Sequence, residues 1–228
     1  MSVSLWNLAI FFVFSMLHYG IKILADEMKP VMDGNNLPRR ENVLMLVAHP
    51  DDEVLFGSRD LILSNTTVVC MTNLNDKKRR GEFEDAMRIV NVKNIMLDFP
   101  DLQFSPWKYN ESFIILEELV RKLVIASAFD VIVSHGTSGE YGHCHHMQLS
   151  KWSRKLSQDF NIPYKSFCDR YSPENMKNDD FANTRHEIMR MHKSQRSWRK
   201  KFDYEICANT DPDARKNHKH WNQNCYFL

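Results

Sequence analysis

The stretch VLMLVAHPDDEVLFGS, residues 43–58, joins six consecutive apolar residues to a run that holds one histidine and three acidic residues. A short continuous apolar run is typical of a β-strand buried on both faces of a parallel sheet. Charged groups at the end of such a strand cost stability unless an opposite charge lies beside them. The stretch therefore predicts a buried strand that ends at a cation, and we favour a metal ion over a solvated acidic helix start.

Short apolar runs alternate with amphipathic stretches from residue 42 onward, which is the pattern of repeated β-α-β units. This pattern predicts strands at 42–48, 68–72, 94–99 and 129–135, and helices at 52–63, 79–90, 111–126 and 144–157. The predicted fold class is α/β, with a doubly wound, mostly parallel, Rossmann-like sheet in the strand order 3-2-1-4.

Composition and cysteine usage narrow the classes of partner and compartment. Thirty basic and 29 acidic side chains give a formal charge of +1, so a nucleic acid is not an expected partner. Five cysteines without C-x-x-C spacing argue against a disulfide scaffold or a zinc ribbon. The cysteine pattern indicates a reducing compartment, whereas the sequons at Asn65 and Asn110 indicate a lumenal chain.

The N-terminal region departs from the pattern of a plain soluble protein. Residues 2–21 hold no charged side chain, and a run of about 20 such residues is long enough to cross a bilayer. We interpret residues 1–25 as a membrane anchor rather than a signal sequence, because no basic residue precedes the run and no good cleavage site follows it. The basic residues after the run then predict a cytoplasmic domain, whereas a cleaved signal sequence would give a lumenal or secreted one.

The rest of the chain divides into three predicted parts. Residues 26–41 are polar and predict a linker, residues 42–206 predict the catalytic domain, and residues 207–228 predict a polar C-terminal tail.

Two polar clusters follow strands one and four, HPDDE at 49–53 and HGTSGEYGHCHHMQL at 135–149. Because these strands are neighbours in the predicted order, both clusters can reach one pocket. His49 and Asp52 can point the same way, and a histidine of the second cluster would complete three protein ligands. Three ligands leave one position open, as in catalytic zinc sites, and Asp51 should project toward that position.

AHPDDE at 48–53 followed by GHCHH at 142–146 resembles the motif pair of the LmbE-like deacetylases, and in particular their PIG-L branch. CMTNLN at 70–75, DFPD at 98–101 and the H-x-S-Q-x-x-W pattern of MHKSQRSWRKKF at 191–202 are similar to further family segments. The resemblance covers nearly all of the predicted domain. It implies an LmbE-like fold and an N-deacetylase that uses Zn²⁺ or another divalent metal.

When the functional positions of the family motifs are assigned to the matching residues of this sequence, the resemblance implies zinc ligands at His49, Asp52 and His146. It also implies a general base at Asp51 and a protonated, oxyanion-stabilising histidine at His143.

Other residues near the motifs have less definite roles. Tyr141 matches an active-site tyrosine of some members and could be a further donor. His145 lies out of phase with the H-x-x-H pattern and receives no role, while Cys144 is a spacer or, alternatively, a thiolate ligand. Candidates to contact a sugar or inositol head group are Arg79, Arg80 and Asp101.

The implied substrate is an N-acetylglucosaminyl lipid, N-acetylglucosaminyl-phosphatidylinositol of GPI-anchor biosynthesis, at the endoplasmic reticulum membrane. One alternative is a deacetylase of another soluble or secreted N-acetyl sugar. A second is a catalytically silent relative that acts as a binding module, although such a chain should have lost Asp51 or a ligand and this one has not. The segment at 191–202 has three interpretations, namely a surface helix, a membrane-facing patch or a lid.

Overall fold

The computed structural model describes residues 40–102, 105–170 and 175–195. The strands in these ranges are β1 (Asn42–Val47), β2 (Asn65–Thr72), β3 (Lys93–Phe99), β4 (Val131–Ser134) and β5 (Tyr164–Ser166). They form one sheet in the order β3-β2-β1-β4-β5, and every pairing is parallel. The predicted order of the first four strands is therefore confirmed, and β5 extends the sheet beyond β4.

Helices flank this sheet, which confirms the predicted α/β class. In the described ranges they are α1 (Asp52–Leu55), α2 (Ser58–Leu63), α3 (Lys77–Ile89), α4 (Tyr109–Ala126), α5 (Gly139–Gly142), α6 (Cys144–Phe160), α7 (Phe167–Arg170) and α8 (Asp179–Met191). Two 3₁₀ turns, Asn175–Lys177 and Lys193–Gln195, lie on either side of α8.

The prediction of one helix over residues 52–63 is wrong, because α1 and α2 are separated at Phe56 and Gly57. The backbone of Gly57 packs so closely on β1 that a Cβ atom there would lie 2.7 Å from Cε of Met45. It would also lie 2.9 Å from the Glu53 carbonyl oxygen. The chain thus turns sharply after α1, and only glycine fits without displacing these neighbours.

The core is built around β1, whose residues 43–47, together with Ala48, are completely buried. β1 pairs with β2 on one side and with β4 on the other, so the ends of β1 and β4 lie next to each other. The N–H of Ala48 donates to Nε2 of His135 at 3.1 Å, and Oγ of Ser134 donates to the Leu46 carbonyl at 2.8 Å. These bonds hold the two predicted polar clusters at one edge of the sheet.

Several predictions fall outside the described residues. The anchor at 1–25, most of the linker at 26–41, the tail at 207–228 and the greater part of the segment at 191–202 lie there. Among the helices that the structure does describe, none combines the length and the apolar character that a bilayer crossing requires.

A buried ion pair fixes α7 on α2. Asp60 is completely buried, and Nε of Arg170 donates to both of its carboxylate oxygens at 3.1 Å. We expect Asp60→Ala to lower the free energy of unfolding by about 3 kcal/mol, because it leaves the Arg170 cation without this partner. The measurement is urea-induced unfolding followed by circular dichroism.

Asp85→Ala is the matched control, since Asp85 pairs with Arg88 on the exposed surface of α3. Its expected effect is below about 1 kcal/mol. Equal effects of the two substitutions would contradict the structural role given to Asp60.

Candidate metal and catalytic site

Three side-chain atoms at the end of β1 and the start of α6 form an equilateral triangle. His49 Nδ1 and His146 Nε2 each lie 3.3 Å from Oδ2 of Asp52, and they lie 3.3 Å from each other. Two nitrogen or oxygen ligands of a tetrahedral zinc ion, each about 2.0–2.1 Å from it, are separated by about 3.4 Å. These atoms, here called the ligand triangle, are buried and fit one shared divalent cation.

Other groups of potential ligands overlap with the ligand triangle. Within the described residues, ligand atoms lie within 4.8 Å of one another in three sets: His49, His143 and His146; Asp52, His135 and His146; and His49, Asp101 and His145. Each set shares at least one residue with the triangle. The structure therefore concentrates the ligand-bearing side chains of both predicted clusters in one place.

The acidic loop, residues 49–53, reaches this geometry through an unusual backbone. Asp51 has φ 124° and ψ −24°, a conformation that residues other than glycine rarely adopt. Two carboxylates stabilise the loop from within. Oδ2 of Asp52 accepts from the His49 N–H at 2.8 Å, and Oε2 of Glu53 accepts from the Asp51 N–H at 2.9 Å.

Glu140 orients His146 and was not identified from the sequence. Its Oε2 lies 2.8 Å from Nδ1 of His146 and 2.8 Å from Nδ1 of His135, while its Oε1 accepts from the Gly136 N–H at 2.8 Å. A carboxylate that accepts a hydrogen bond from Nδ1–H of His146 keeps the ring proton on Nδ1, and Nε2 of His146 can then bind a cation. Glu140 itself has φ 54°, so its position depends on a backbone conformation that the sequence pattern does not indicate.

The electrostatic field at the ligand triangle favours a positive charge. Although burial works against the charged form, Asp52 and Glu140 raise the pKa of His146 to about 10. Burial likewise opposes ionisation of Glu140, yet His135 and His146 lower the pKa of Glu140 to about 2. Asp52 is therefore an ionised carboxylate at the ligand triangle itself, and Glu140 is an ionised carboxylate on the far side of the His146 ring.

Asp51 lies beside the ligand triangle and is not one of its vertices. Burial, followed by the charge of Asp52, raises the pKa of Asp51 to about 8. The Arg79 guanidinium opposes this rise, with its Nη2 3.7 Å from Oδ1 of Asp51. A carboxyl group with this pKa can take up and release a proton near neutral pH.

His143 presents a neutral donor, not the protonated group that we expected. Its Nδ1 accepts from the backbone N–H of His145 at 3.2 Å, so Nε2 carries the ring proton. Burial, followed by the imidazole of His146, lowers the pKa of His143 far below its ordinary value. The rings of His143 and His146 have centroids 4.8 Å apart, which places the donor next to the ligand triangle.

Tyr141 packs edge-on against the same histidines, with its ring centroid 5.2 Å from that of His146 and 5.9 Å from that of His143. Burial raises the pKa of Tyr141 well above its ordinary value. Its hydroxyl group therefore stays protonated and can donate a hydrogen bond.

Two of the three candidate substrate-binding residues lie at the rim of the site. Arg79 donates to Oδ2 of Asp101 and to the Pro50 carbonyl, both at 2.9 Å, and so joins α3 to the acidic loop. Asp101 also reaches His49, with 3.5 Å between Oδ1 and Nε2. Arg80 instead has its Nε 3.7 Å from Oε1 of Glu84, one turn along α3.

The start of the segment at 191–202 packs under the acidic loop. Nε2 of His192 lies 2.7 Å from Oε1 of Glu53, and both side chains are buried. Although burial disfavours the charged form, Glu53 raises the pKa of His192. Ser194 extends this contact by donating its N–H to Oε1 of Glu82 at 2.9 Å. His192 therefore braces the acidic loop, and Ser194 joins the same segment to α3.

The cysteines differ from the prediction. Cys144 and Cys168 are both disulfide-bonded, whereas Cys70 is a buried free thiol. The expectation that the chain has no disulfide framework is wrong for these two, because the absence of C-x-x-C spacing does not prevent bonds between cysteines distant in sequence. Cys144 is also excluded as a thiolate ligand, since its sulfur is already bonded.

Comparisons with known proteins agree with this arrangement. The family model for PIG-L, GlcNAc-PI de-N-acetylase, matches residues 44–157, which is half of the chain and includes both polar clusters. An uncharacterised protein, L374 of Acanthamoeba polyphaga mimivirus, is 32% identical over 151 residues. That match covers 58% of this chain and 63% of the viral protein, so the chain spans less than two thirds of this relative.

One solved structure, the C-terminal domain of the PF1911 hydrogenase of Pyrococcus furiosus, is 18% identical with a TM-score of 0.38. It covers 60% of this chain and 98% of its own. A likeness at that score bears on neither the fold nor the chemistry.

Proposed function

The chain belongs to the GlcNAc-PI de-N-acetylase (PIG-L) family, and from this premise we propose that it is a metal-dependent deacetylase that hydrolyses the acetamide of an N-acetylglucosaminyl group. The observation that carries the proposal is the ligand triangle of His49, Asp52 and His146, with Asp51 beside it. The family match and the catalytic residues coincide, since both polar clusters lie inside residues 44–157.

The chemistry of amide hydrolysis assigns a task to each group. A divalent cation held by the ligand triangle, for which Zn²⁺ suits the nitrogen and oxygen donors, would polarise the amide carbonyl and lower the pKa of bound water. Asp51 takes the proton of the attacking water and passes it to the departing amine. His143 donates its Nε2 proton in a hydrogen bond to the oxyanion, and Tyr141 can add a second donor. The products are acetate and a free amino sugar.

The first proposed substrate is an N-acetylglucosaminyl lipid, N-acetylglucosaminyl-phosphatidylinositol. Membership of the GlcNAc-PI de-N-acetylase family supports this substrate, and so does the apolar run at 2–21, which would hold the domain at a membrane. Arg79 and Asp101 at the rim of the site are the proposed contacts to the head group.

A second candidate is a soluble or secreted N-acetyl sugar, and the disulfide bonds of Cys144 and Cys168 favour it. Disulfide bonds persist in oxidising compartments and are rare on the cytoplasmic side. The sequon residues Asn65 and Asn110 are both exposed, which agrees with such a compartment. We therefore propose a lumenal or secreted domain over the cytoplasmic one that the positive-inside rule favours.

Acetate release by the purified full chain tests the proposed activity. The substrates are N-acetylglucosaminyl-phosphatidylinositol in detergent micelles and soluble N-acetylglucosamine oligosaccharides. We expect acetate that disappears with a chelator and returns when zinc is added. Release from the lipid alone selects the first candidate, and release from the oligosaccharides selects the second. A zinc-loaded chain that releases acetate from neither substrate would contradict the proposal.

The compartment is tested separately by expression of the chain in eukaryotic cells. We expect a glycosidase that removes N-linked glycans to increase the mobility of the protein, and Asn65→Gln with Asn110→Gln to abolish this shift. Cys144 should resist alkylation until a reductant is added. An unglycosylated protein with a freely alkylated Cys144 would support the cytoplasmic location instead.

A further inference from the structure

His145 is completely buried beside the ligand triangle, and both of its ring nitrogens have partners. Nδ1 lies 3.0 Å from Nε2 of His49, and Nε2 lies 3.0 Å from the carbonyl oxygen of Ser105. The side chain therefore links a vertex of the triangle to the backbone of the loop before α4. No part of the reaction described above uses His145.

The partner at each end determines where the protons lie. The Ser105 carbonyl can only accept, so Nε2 of His145 carries a proton. In a neutral ring the other nitrogen is then an acceptor, and Nδ1 of His145 receives the Nε2 proton of His49. This leaves the Nδ1 lone pair of His49 free, and Nδ1 is the atom that lies 3.3 Å from Asp52 and from His146.

A second acceptor supports the same proton on His49. Oδ1 of Asp101 lies 3.5 Å from Nε2 of His49, and a carboxylate oxygen attracts a donor there and repels a lone pair. The rival arrangement, in which a charged His145 donates to His49, would put a lone pair at Nε2 of His49 beside this carboxylate. It would also place a proton on Nδ1 of His49, where the ligand atoms converge.

The His145 ring is held rigidly in this orientation. The indole of Trp107 stacks on it with centroids 4.2 Å apart and 10° between the planes. Trp107 is itself fixed, because its backbone N–H donates to Oε1 of Gln148 at 2.8 Å and its Nε1 donates to the Pro100 carbonyl at 2.9 Å. Gln148 lies one helical turn after His145 on α6, so the helix and the loop hold the ring together.

We propose that His145 is a positioning residue that accepts the Nε2 proton of His49 and thereby fixes the tautomer in which Nδ1 of His49 binds the cation. This inference rests on the proposed metal-dependent function. It assigns to His145 the same task for His49 that Glu140 performs for His146. Each histidine of the triangle then has its own proton acceptor.

Two substitutions of His145 test its two hydrogen bonds, to His49 and to Ser105, separately. The amide of His145→Asn occupies the place of Nδ1 and can still accept from His49, but it does not reach Ser105. The amide of His145→Gln occupies the place of Nε2, so it can donate to Ser105 but offers no acceptor to His49. The dissociation constant for Zn²⁺, measured by competition with a chromophoric chelator, compares the two with the wild-type chain.

We expect His145→Gln to weaken zinc binding by about 10- to 100-fold, and His145→Asn to stay within about threefold of the wild type. Circular dichroism melting curves verify that both variants fold. Equal weakening in both variants, or wild-type affinity in His145→Gln, would overturn the inference.

Nitrogen-15 NMR of the histidine rings gives a readout that does not depend on metal or activity. In the metal-free wild-type chain, His49 should carry its proton on Nε2, and a proton on Nδ1 would overturn the inference. A wild-type chain that binds no zinc would refute the proposed function, while the NMR measurement would still decide the tautomer. A chain that binds zinc but is unaffected by His145→Gln would refute only the role of His145.

Discussion

Asp51→Asn is expected to lower the turnover number by about 10²- to 10⁴-fold, the range that a positioned general base contributes. Asp51 is not a vertex of the ligand triangle, so the variant should still bind one zinc ion. Asparagine has nearly the same shape as aspartate and tolerates positive φ better than most residues, so the acidic loop at φ 124° should keep its conformation. The measurement is initial-rate acetate release by chain whose zinc content has been verified.

Asp85→Asn provides the control, because Asp85 lies on the exposed surface of α3 and pairs with Arg88. It should turn over at the wild-type rate. A zinc-replete Asp51→Asn chain that is equally active would show that another group takes the proton of water, and the proposed mechanism would be wrong.

His146→Ala is expected to abolish tight zinc binding and, with it, acetate release. Structural zinc sites with four ligands are worth about 10–16 kcal/mol, so loss of one of three ligands should cost roughly 4 kcal/mol. That corresponds to about a thousandfold increase in the dissociation constant. Metal analysis after dialysis, together with chelator competition, measures the effect.

His186→Ala is the matched control, since His186 is exposed on α8 and lies apart in sequence from both polar clusters. Its zinc content should equal that of the wild type. A high concentration of added zinc should restore activity to His146→Ala only in proportion to the zinc that the variant then binds. A His146→Ala chain that keeps one tightly bound zinc ion would place the cation elsewhere.

The sequence predicted the sheet well where hydrophobic runs are continuous. The run at 43–48 has no polar residue to interrupt it, and these residues are completely buried, with β1 as the central strand between the expected neighbours. The sequence was less informative about features that depend on close packing between elements. The break at Gly57 follows from a contact with Met45, which lies on another element and leaves no mark in local periodicity. β5 has only three residues, too few for a pattern to identify.

The candidate site, like the fold, could be predicted from the sequence only in part. The motifs predicted which residues carry donor atoms, and the structure brings His49, Asp52 and His146 together. The hydrogen-bond partners that orient these histidines could not be predicted, because they depend on side-chain directions set by tertiary structure. Glu140 takes its position from a backbone at φ 54°. Its presence as an acid between histidines was the one available signal, since ligating histidines usually donate to a carboxylate.

Anomalous diffraction at the zinc absorption edge, from crystals of the zinc-loaded chain, tests the central claim most directly. The structure predicts one strong peak per chain, equidistant from His49 Nδ1, Asp52 Oδ2 and His146 Nε2. A peak bound by His49, Asp101 and His145 instead, or no peak at the ligand triangle, would contradict the account.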